Sequence, residues 1–494
     1  MEQLSYATLE IMDYQGYSLK TAPERILQFG EGNFLRGFAD YFIDVLNERC
    51  DLNAKVVLVN PTHRGKAERF NAQEGLYTVY LRGMENGVAQ SKRRMVSSVS
   101  RCLSPYADFE GFLQTAQNPD MAFVLSNTTE AGIVYDEVCQ LTDAPATAFP
   151  AKVTQWLYAR FTHFGGAADA GVVFLPCELI DANGEALKSC VLRYAKQWQL
   201  PQTFAQWIET ANTFCSTLVD RIVTGYPSDE ADQLDVENGY IDRLATVGEP
   251  FANWVIEGPQ WVGEALKLEG SGLPILICDD QGPYKKRKVR ILNGAHTSTA
   301  LAAYLMGYDI VRDCMADQTI SAFLTQALEQ EIMPVIDLPK EDLAHFASAV
   351  KDRFQNPYID HKLLDISLNS VSKWRARVLP TILEYHAQFG TLPERLVFSF
   401  AALLAFYTGK EISGNSLLGC RDGASYPIID NMEVLQFFAQ HSQDDGFIHA
   451  VASHEAFWGC DLTAIPDFEA TVTAHWRTIA TQGLAVAMKA VVAD

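Results

Sequence analysis

The chain has 494 residues, of which 48% are hydrophobic and 20% charged, so it can bury large cores and has room for roughly two to four domains. Its net charge of −22 leaves no broad basic footprint for nucleic acid or an anionic membrane, although a local basic pocket for a small anion remains open. The apolar stretch Leu396–Phe406 stops after eleven residues, the length of a buried helix and short of the ~18 that a membrane span needs.

In chain order, residues 25–48 give a short apolar strand, a glycine turn and then apolar residues at helical spacing. Residues 54–60 read as a second strand, and 121–132 and 171–180 contain later ones. Strands alternating with helices predict an α/β, doubly wound, largely parallel sheet of Rossmann type over residues 1–282. From Pro283 onward amphipathic helical stretches dominate, at 297–332, 340–354, 359–387 and 393–408, and predict an all-α domain over 283–494. The segment 279–286 reads as a hinge with Pro283 in a first helical turn, and the active site is expected between the two domains. The Gly/Ser-rich segment 409–431 reads as a surface loop.

Gly30-x-Gly32 follows the first strand directly. The first glycine permits a tight turn, and the second lets backbone amides approach a pyrophosphate; position 35, where a third glycine would fall, is Leu35. An ordinary strand-to-helix turn has the same pattern. The second strand ends at Asn60 without an acid, so Asn60 is the candidate for the adenosine ribose hydroxyls. Arg64 is the candidate for a 2′-phosphate, and NAD and NADP both stay open. Ser126 to Glu130 fits a loop on the nicotinamide side and equally a helix N-cap with Glu130 in the first turn.

Lys288, Asn293 and His296 carry the chemistry. On one α-helix over 284–305, Asn293 lies roughly 140° and His296 roughly 80° round from Lys288, so all three can face one cleft. Hydride transfer from a carbinol needs an acid/base for the hydroxyl proton and donors for the developing alkoxide. Lysine can be the first if desolvation or nearby cations (Lys285, Lys286, Arg287 and Arg290) lower its pKa, and Asn and His can be the second. The same triple is also compatible with a solvated helix face. The ten cysteines form no CxxC pair and no zinc cluster; they predict reduced thiols in a cytoplasmic chain, with Cys177 in the core.

Five ordered motifs, spread over nearly the whole chain, resemble the mannitol dehydrogenase family of polyol-specific long-chain dehydrogenases. They are Gly30-x-Gly32-Asn33-Phe34-x-Arg36, Val219-Asp220-Arg221-Ile222, Glu249 to Glu257, Lys288-x4-Asn293-x2-His296 and Arg353-Phe354-x-Asn356-Pro357. The resemblance implies Lys288 as catalytic lysine with Asn293 and His296 on the oxyanion. It implies cofactor contacts from Gly30, Gly32, Asn33, Phe34, Asn60, Thr128 and Glu130, and substrate contacts from Asp220 and Lys373. Within the family, residues 126–133, 284–297, 331–339 and 353–373 most resemble the branch working on hexuronates. That implies NADH-dependent reduction of tagaturonate to altronate without a metal.

Two positions depart from the family pattern. An oxyanion asparagine is replaced by Leu179, with Asn183 the nearest substitute, and an acid three residues before the lysine is replaced by Lys285. The second change makes the site more cationic, which suits a uronate carboxylate clamped by Lys373 and His361; a solvated helix face fits that pair as well. Asp220 and Arg221 also fit a structural ion pair. Fructuronate or a neutral hexitol is the alternative substrate, and a nucleotide-binding protein without redox activity is the alternative class. The expected partner is a small sugar acid, with no nucleic acid and no membrane, in a monomer or homodimer.

Overall fold

The structure is a computed structural model that describes residues 1–65, 67–129 and 131–493. It comprises two compact units, Met1–Arg82 with Gln90–Gln281, and Gly83–Ala89 with Gly282–Asp494.

The first unit is built on six parallel strands: β1 (Glu24–Phe29), β2 (Lys55–Val59), β3 (Val99–Leu103), β4 (Phe123–Ser126), β5 (Val173–Pro176) and β6 (Thr213–Phe214). They pair in the order β3-β2-β1-β4-β5-β6, the dinucleotide-binding arrangement. Every residue of β2 is buried, as a strand covered on both faces requires. The two-residue period divides the apolar residues between two cores. Ile26, Val56, Leu58 and Leu125 pack with Phe42, Ile43 and Leu46 of helix Ala39–Cys50. Leu27, Phe29, Val57 and Val124 pack with Val153, Trp156 and Leu157 of helix Phe149–His163.

Two smaller sheets follow, one of four strands that includes the hairpin Tyr77–Glu85 and Val88–Val96, and one of three strands that includes Ser216–Asp220. The hairpin turns on Asn86 and Gly87, both at positive φ (54° and 74°). An Asn-Gly pair of this kind matches the twist of antiparallel strands, so the signal stands in the sequence, although alternating strands and helices alone do not reveal it.

In the second unit helices Lys340–Phe354 and Glu394–Phe406 fall where their apolar periods predict. Glu394–Phe406 buries all but Glu394 and Ala405, which makes it the unit's central helix. Its N-terminus is held by Glu331, whose carboxylate accepts from the amides of Arg395 (2.9 Å) and Leu396 (3.0 Å) and from the Arg395 guanidinium (3.1 Å). The stretch 297–332 is not continuous: Gly307 at φ +101° closes one helix, and Asp317 caps the next by accepting from the amides of Thr319 and Ile320. Among the described residues no helix is long and apolar enough to cross a membrane.

Residues 409–431 depart from the expected surface loop, and the unit is therefore not purely helical. Ile412–Ser413, Ser416–Arg421 and Ala424–Ile428 form an antiparallel sheet. The Gly and Asp residues that read as loop punctuation are hairpin turns, with Asp422 and Gly423 at φ 52° and 82°. Leu417, Tyr426 and Ile428 point into the core, and Gly419 leaves room for its cross-strand partner: a Cβ there would lie 2.3 Å from the Tyr426 ring.

Candidate active site

Gly30 turns the chain after β1 at φ +116°, and a Cβ on it would meet the Asn127 carbonyl at 3.0 Å, so a side chain here is both strained and crowded. Gly32 is extended, precedes the short helix Asn33–Gly37, and has open space where a Cβ would point. With Pro61 and Thr62 after β2 and Asn127 to Thr129 after β4, the two glycines line a cavity of about 900 Å³. It sits at the carboxyl ends of β1 and β4, where the strand order reverses. A cavity with both glycines of the first strand-to-helix turn in its wall at that point fits a dinucleotide, and Gly30, Gly32 and the 127–129 loop are the residues that would hold it.

The other expected cofactor residues divide. Asn33 accepts from the Arg36 guanidinium, and the Phe34 ring stacks on Phe38 (4.9 Å, 20°). Asn60 is only 1% exposed and turns its amide to Cys102 Sγ at 3.6 Å, while its neighbours Pro61 and Thr62 line the cavity and Arg64 is exposed. Thr128 lines the cavity, and its amide and hydroxyl both donate to Glu178, at 3.0 and 2.9 Å. Ser126 Oγ donates to the same carboxylate at 3.0 Å, and burial pushes the Glu178 pKa up. No helix begins among the described residues between Ser126 and Phe149, so the N-cap reading of this loop does not hold. Thr129 sits at φ +78°, a conformation unfavourable to a β-branched residue, next to the residues that Glu178 clamps. Glu130 lies outside the described residues.

Beneath the glycine turn Gln28 Nε2 donates to the Gly30 carbonyl (3.0 Å) and to Asp40 (3.3 Å), which also accepts from the Tyr77 hydroxyl at 3.1 Å. Burial, opposed by these two donors, raises the Asp40 pKa from 3.8 to about 7. The folded state therefore holds this proton more tightly than the unfolded chain, and the associated stability is full below the unfolded value and lost as pH rises to about 7. Asp40→Asn is expected to flatten the Tm profile across that window and to raise stability above it by on the order of 2 kcal/mol, measured by calorimetry against pH.

Leu179 is 61% exposed and carries no donor. Asn183 does not replace the missing amide: it is fully buried, its Nδ2 donates to the carbonyls of Pro176, Glu178 and Thr217, and its Oδ1 accepts from the Thr217 amide. Asp220 is buried at the end of its strand. The Arg221 guanidinium donates to the carbonyls of Gly37, Phe251 and Pro250.

In the second unit Lys288 to Gly294 form a π-helical segment that runs into the α-helix Ala295–Leu305. The uniform α-helix expected over 284–305 is thus interrupted, and the angle from Lys288 to Asn293 changes. Five residues are the hydrogen-bonded repeat of a π-turn, so positions 288 and 293 lie closer round the helix axis than the roughly 140° of an α-helix. Of the four cations expected to bear on Lys288, Lys286 and Arg290 pair with Glu384 (2.9 and 3.3 Å) and Arg287 pairs with Asp342 (2.5 Å). Positive charge gathers instead around His296. Its ring stacks on Phe354 (3.9 Å) and meets the His361 ring edge-on at 5.3 Å. Among the described residues its Nε2 is buried without a hydrogen-bond partner. Burial first, then His361, Arg353, Arg377 and Lys373, push its pKa well below the usual value, so the imidazole is neutral and keeps one N–H and one lone pair. Lys373 Nζ donates to the Ile366 carbonyl at 3.0 Å, and burial followed by Arg377 lowers its pKa. The structure therefore brings His296, His361 and Lys373 together. Among the described residues no three His, Cys, Asp or Glu side chains gather as metal ligands.

Residues 24–270 match the mannitol dehydrogenase Rossmann domain, and residues 280–480 match the mannitol dehydrogenase C-terminal domain. The chain belongs to the mannitol dehydrogenase family. An altronate oxidoreductase of Cronobacter sakazakii is 50% identical over 471 residues, which cover 94% of this chain and 95% of that one. The family fold is shared with a D-sorbitol dehydrogenase (TM-score 0.77, 23% identity, covering 95% of this chain and 96% of that one). It is shared too with the Pseudomonas fluorescens mannitol 2-dehydrogenase in its ternary complex with NAD and D-mannitol (TM-score 0.65, 22% identity, both chains covered fully). Two residues do not stand out in the sequence: Glu178, which clamps the loop beside the cofactor cavity and appears only inside the departing Cys177-Glu178-Leu179 triplet, and Arg377, near His296 in the second unit, whose one signal is its four-residue spacing from Lys373 on a helix.

Proposed function

We propose that this protein catalyses the NAD(H)-dependent interconversion of D-tagaturonate and D-altronate, with Lys288 as acid/base and without a metal. The observation that carries the reading is the 50% identity, over 94% of the chain, to a relative named altronate oxidoreductase. The glycine-lined cavity supports a dinucleotide, and the NAD bound in the ternary complex of the Pseudomonas fluorescens mannitol 2-dehydrogenase makes NAD the first cofactor to test. The cationic surroundings of His296 support an anionic sugar over a neutral one.

In the oxidative direction the carbinol O–H proton passes to Lys288 Nζ while the C–H bond leaves with its electron pair as hydride, turning the carbinol into a ketone. The nicotinamide, when bound, supplies the hydride acceptor. Asn293 and the neutral His296 donate hydrogen bonds to the oxygen as charge develops on it. Reduction reverses each transfer. The Glu178 clamp on Ser126 and Thr128 keeps the loop beside the cofactor cavity in one conformation, so its shape is set before binding.

The test is a panel of tagaturonate, fructuronate, altronate and mannitol with NADH or NAD and their phosphorylated counterparts, following NADH absorbance. Turnover of tagaturonate and altronate at least about ten-fold more efficient than that of fructuronate and mannitol, unchanged by EDTA, is the expected result. A preference for mannitol or fructuronate, or cofactor binding with no turnover, would sink the reading.

A further inference from the structure

Several arginines in the second unit sit against carboxylates: Arg287 against Asp342, Arg395 against Glu331 and Arg421 against Asp309. Among the described residues Arg377 does not. It closes the helix Ser370–Arg377 half-buried, and the contact of its guanidinium is the Thr297 hydroxyl at 3.4 Å. The acids of the neighbourhood act elsewhere, Asp365 on His361 and Asp430 on Lys373, and burial alone lowers the Arg377 pKa. A half-buried guanidinium that faces no acid among the described residues is free to meet an anionic ligand.

Its place is fixed from two sides. Thr297 directly follows His296, and the Arg377 carbonyl lies 3.1 Å from where a Cβ on Gly294 would sit, next to Asn293. The end of this helix is therefore seated on the segment that carries Asn293 and His296, and the absence of a side chain at 294 permits the approach. Lys373 lies one turn earlier on the same helix.

We propose that Arg377 binds the carboxylate of the sugar acid and is the residue that separates sugar acids from neutral polyols in this protein. The inference rests on the hexonate reading of the site. A guanidinium offers two parallel N–H donors to a carboxylate, which the single ammonium of Lys373 cannot match in geometry. His296, neutral and adjacent, is left to the reacting oxygen.

The experiment compares wild type, Arg377→Gln and Arg377→Lys on altronate and on altritol, the hexitol with a primary alcohol in place of the carboxylate, with NADH affinity measured by fluorescence. Arg377→Gln is expected to lower kcat/KM for altronate by about 10²- to 10³-fold, chiefly through KM, and to leave altritol turnover and NADH binding within about three-fold. Arg377→Lys, which keeps the charge and loses the fork, should lose about ten-fold. On the wild-type chain altronate, and not altritol, should shield Arg377 from phenylglyoxal, read by peptide mass; this arm needs no folded variant. An unchanged altronate-to-altritol ratio in Arg377→Gln, an equal fall for both substrates, or modification of Arg377 undiminished by altronate overturns the inference. Wild type that turns over no sugar acid at all overturns the reading beneath it instead.

Discussion

Replacing Lys288 with alanine is expected to lower kcat by about 10²- to 10⁴-fold in both directions, with NADH affinity unchanged within about two-fold. The argument is one of chemistry: moving a hydride from a carbinol demands that the hydroxyl proton leave at the same time, and water at that position is a poor substitute for a held amine. In the proposed mechanism the π-segment brings positions 288 and 293 closer round the helix axis, as a base and an oxyanion donor serving one oxygen require. Lys288→Arg should be nearly as slow as the alanine variant, since a guanidinium does not give up its proton in this range. Stopped-flow measurement of the first turnover separates the chemical step from product release. A first-turnover rate in Lys288→Ala equal to that of wild type would remove lysine from the mechanism.

Glu331→Ala is expected to cost about 3 to 5 kcal/mol of stability. Its side chain is 3% exposed, facing an Arg395 side chain that is 8% exposed. Burial pushes the carboxyl's pKa up in spite of its donors, so the pair itself adds little beyond what an apolar pair of the same shape would give. Breaking it is another matter, because alanine leaves a buried guanidinium with the Gln326 amide oxygen (2.8 Å) but no acid, and leaves the amides of Arg395 and Leu396, the start of the unit's central helix, without this acceptor. Urea unfolding should show a lower midpoint, and Glu331→Ala combined with Arg395→Met should recover much of the loss. A midpoint within the error of wild type would show that the helix start is held by other contacts.

The strands and the long helices were legible where one physical signal dominates. β2 is apolar from Val56 to Val59 because both its faces are covered, and Glu394–Phe406 is apolar around most of its circumference because it is central. The sheet in 409–431 was not, since glycine and aspartate serve a loop and a hairpin turn alike, and only the pairing of Gly419 with Tyr426 tells them apart. For the candidate triple Lys288, Asn293 and His296 the helical context was legible and the angular relation was not, because an α-helix was the assumed ruler where the backbone is π-helical. Glu178 and Asn183 were hidden for a different reason: each has its role fixed by hydrogen bonds to residues distant in sequence, Ser126 and Thr128 for one and Thr217 for the other. No local spacing announces such partners.

The π-segment bears on how this chain can change over time. A π-turn is an α-helix carrying one surplus residue, so dropping a residue between Lys288 and Asn293 would relax the backbone into an ordinary helix that still packs. The amine and the imidazole would then stand seven residues apart on an α-helix, about 20° from alignment, so both would stay on one face. The surplus residue is therefore one that this stretch can lose without parting the two side chains, and it answers to packing alone.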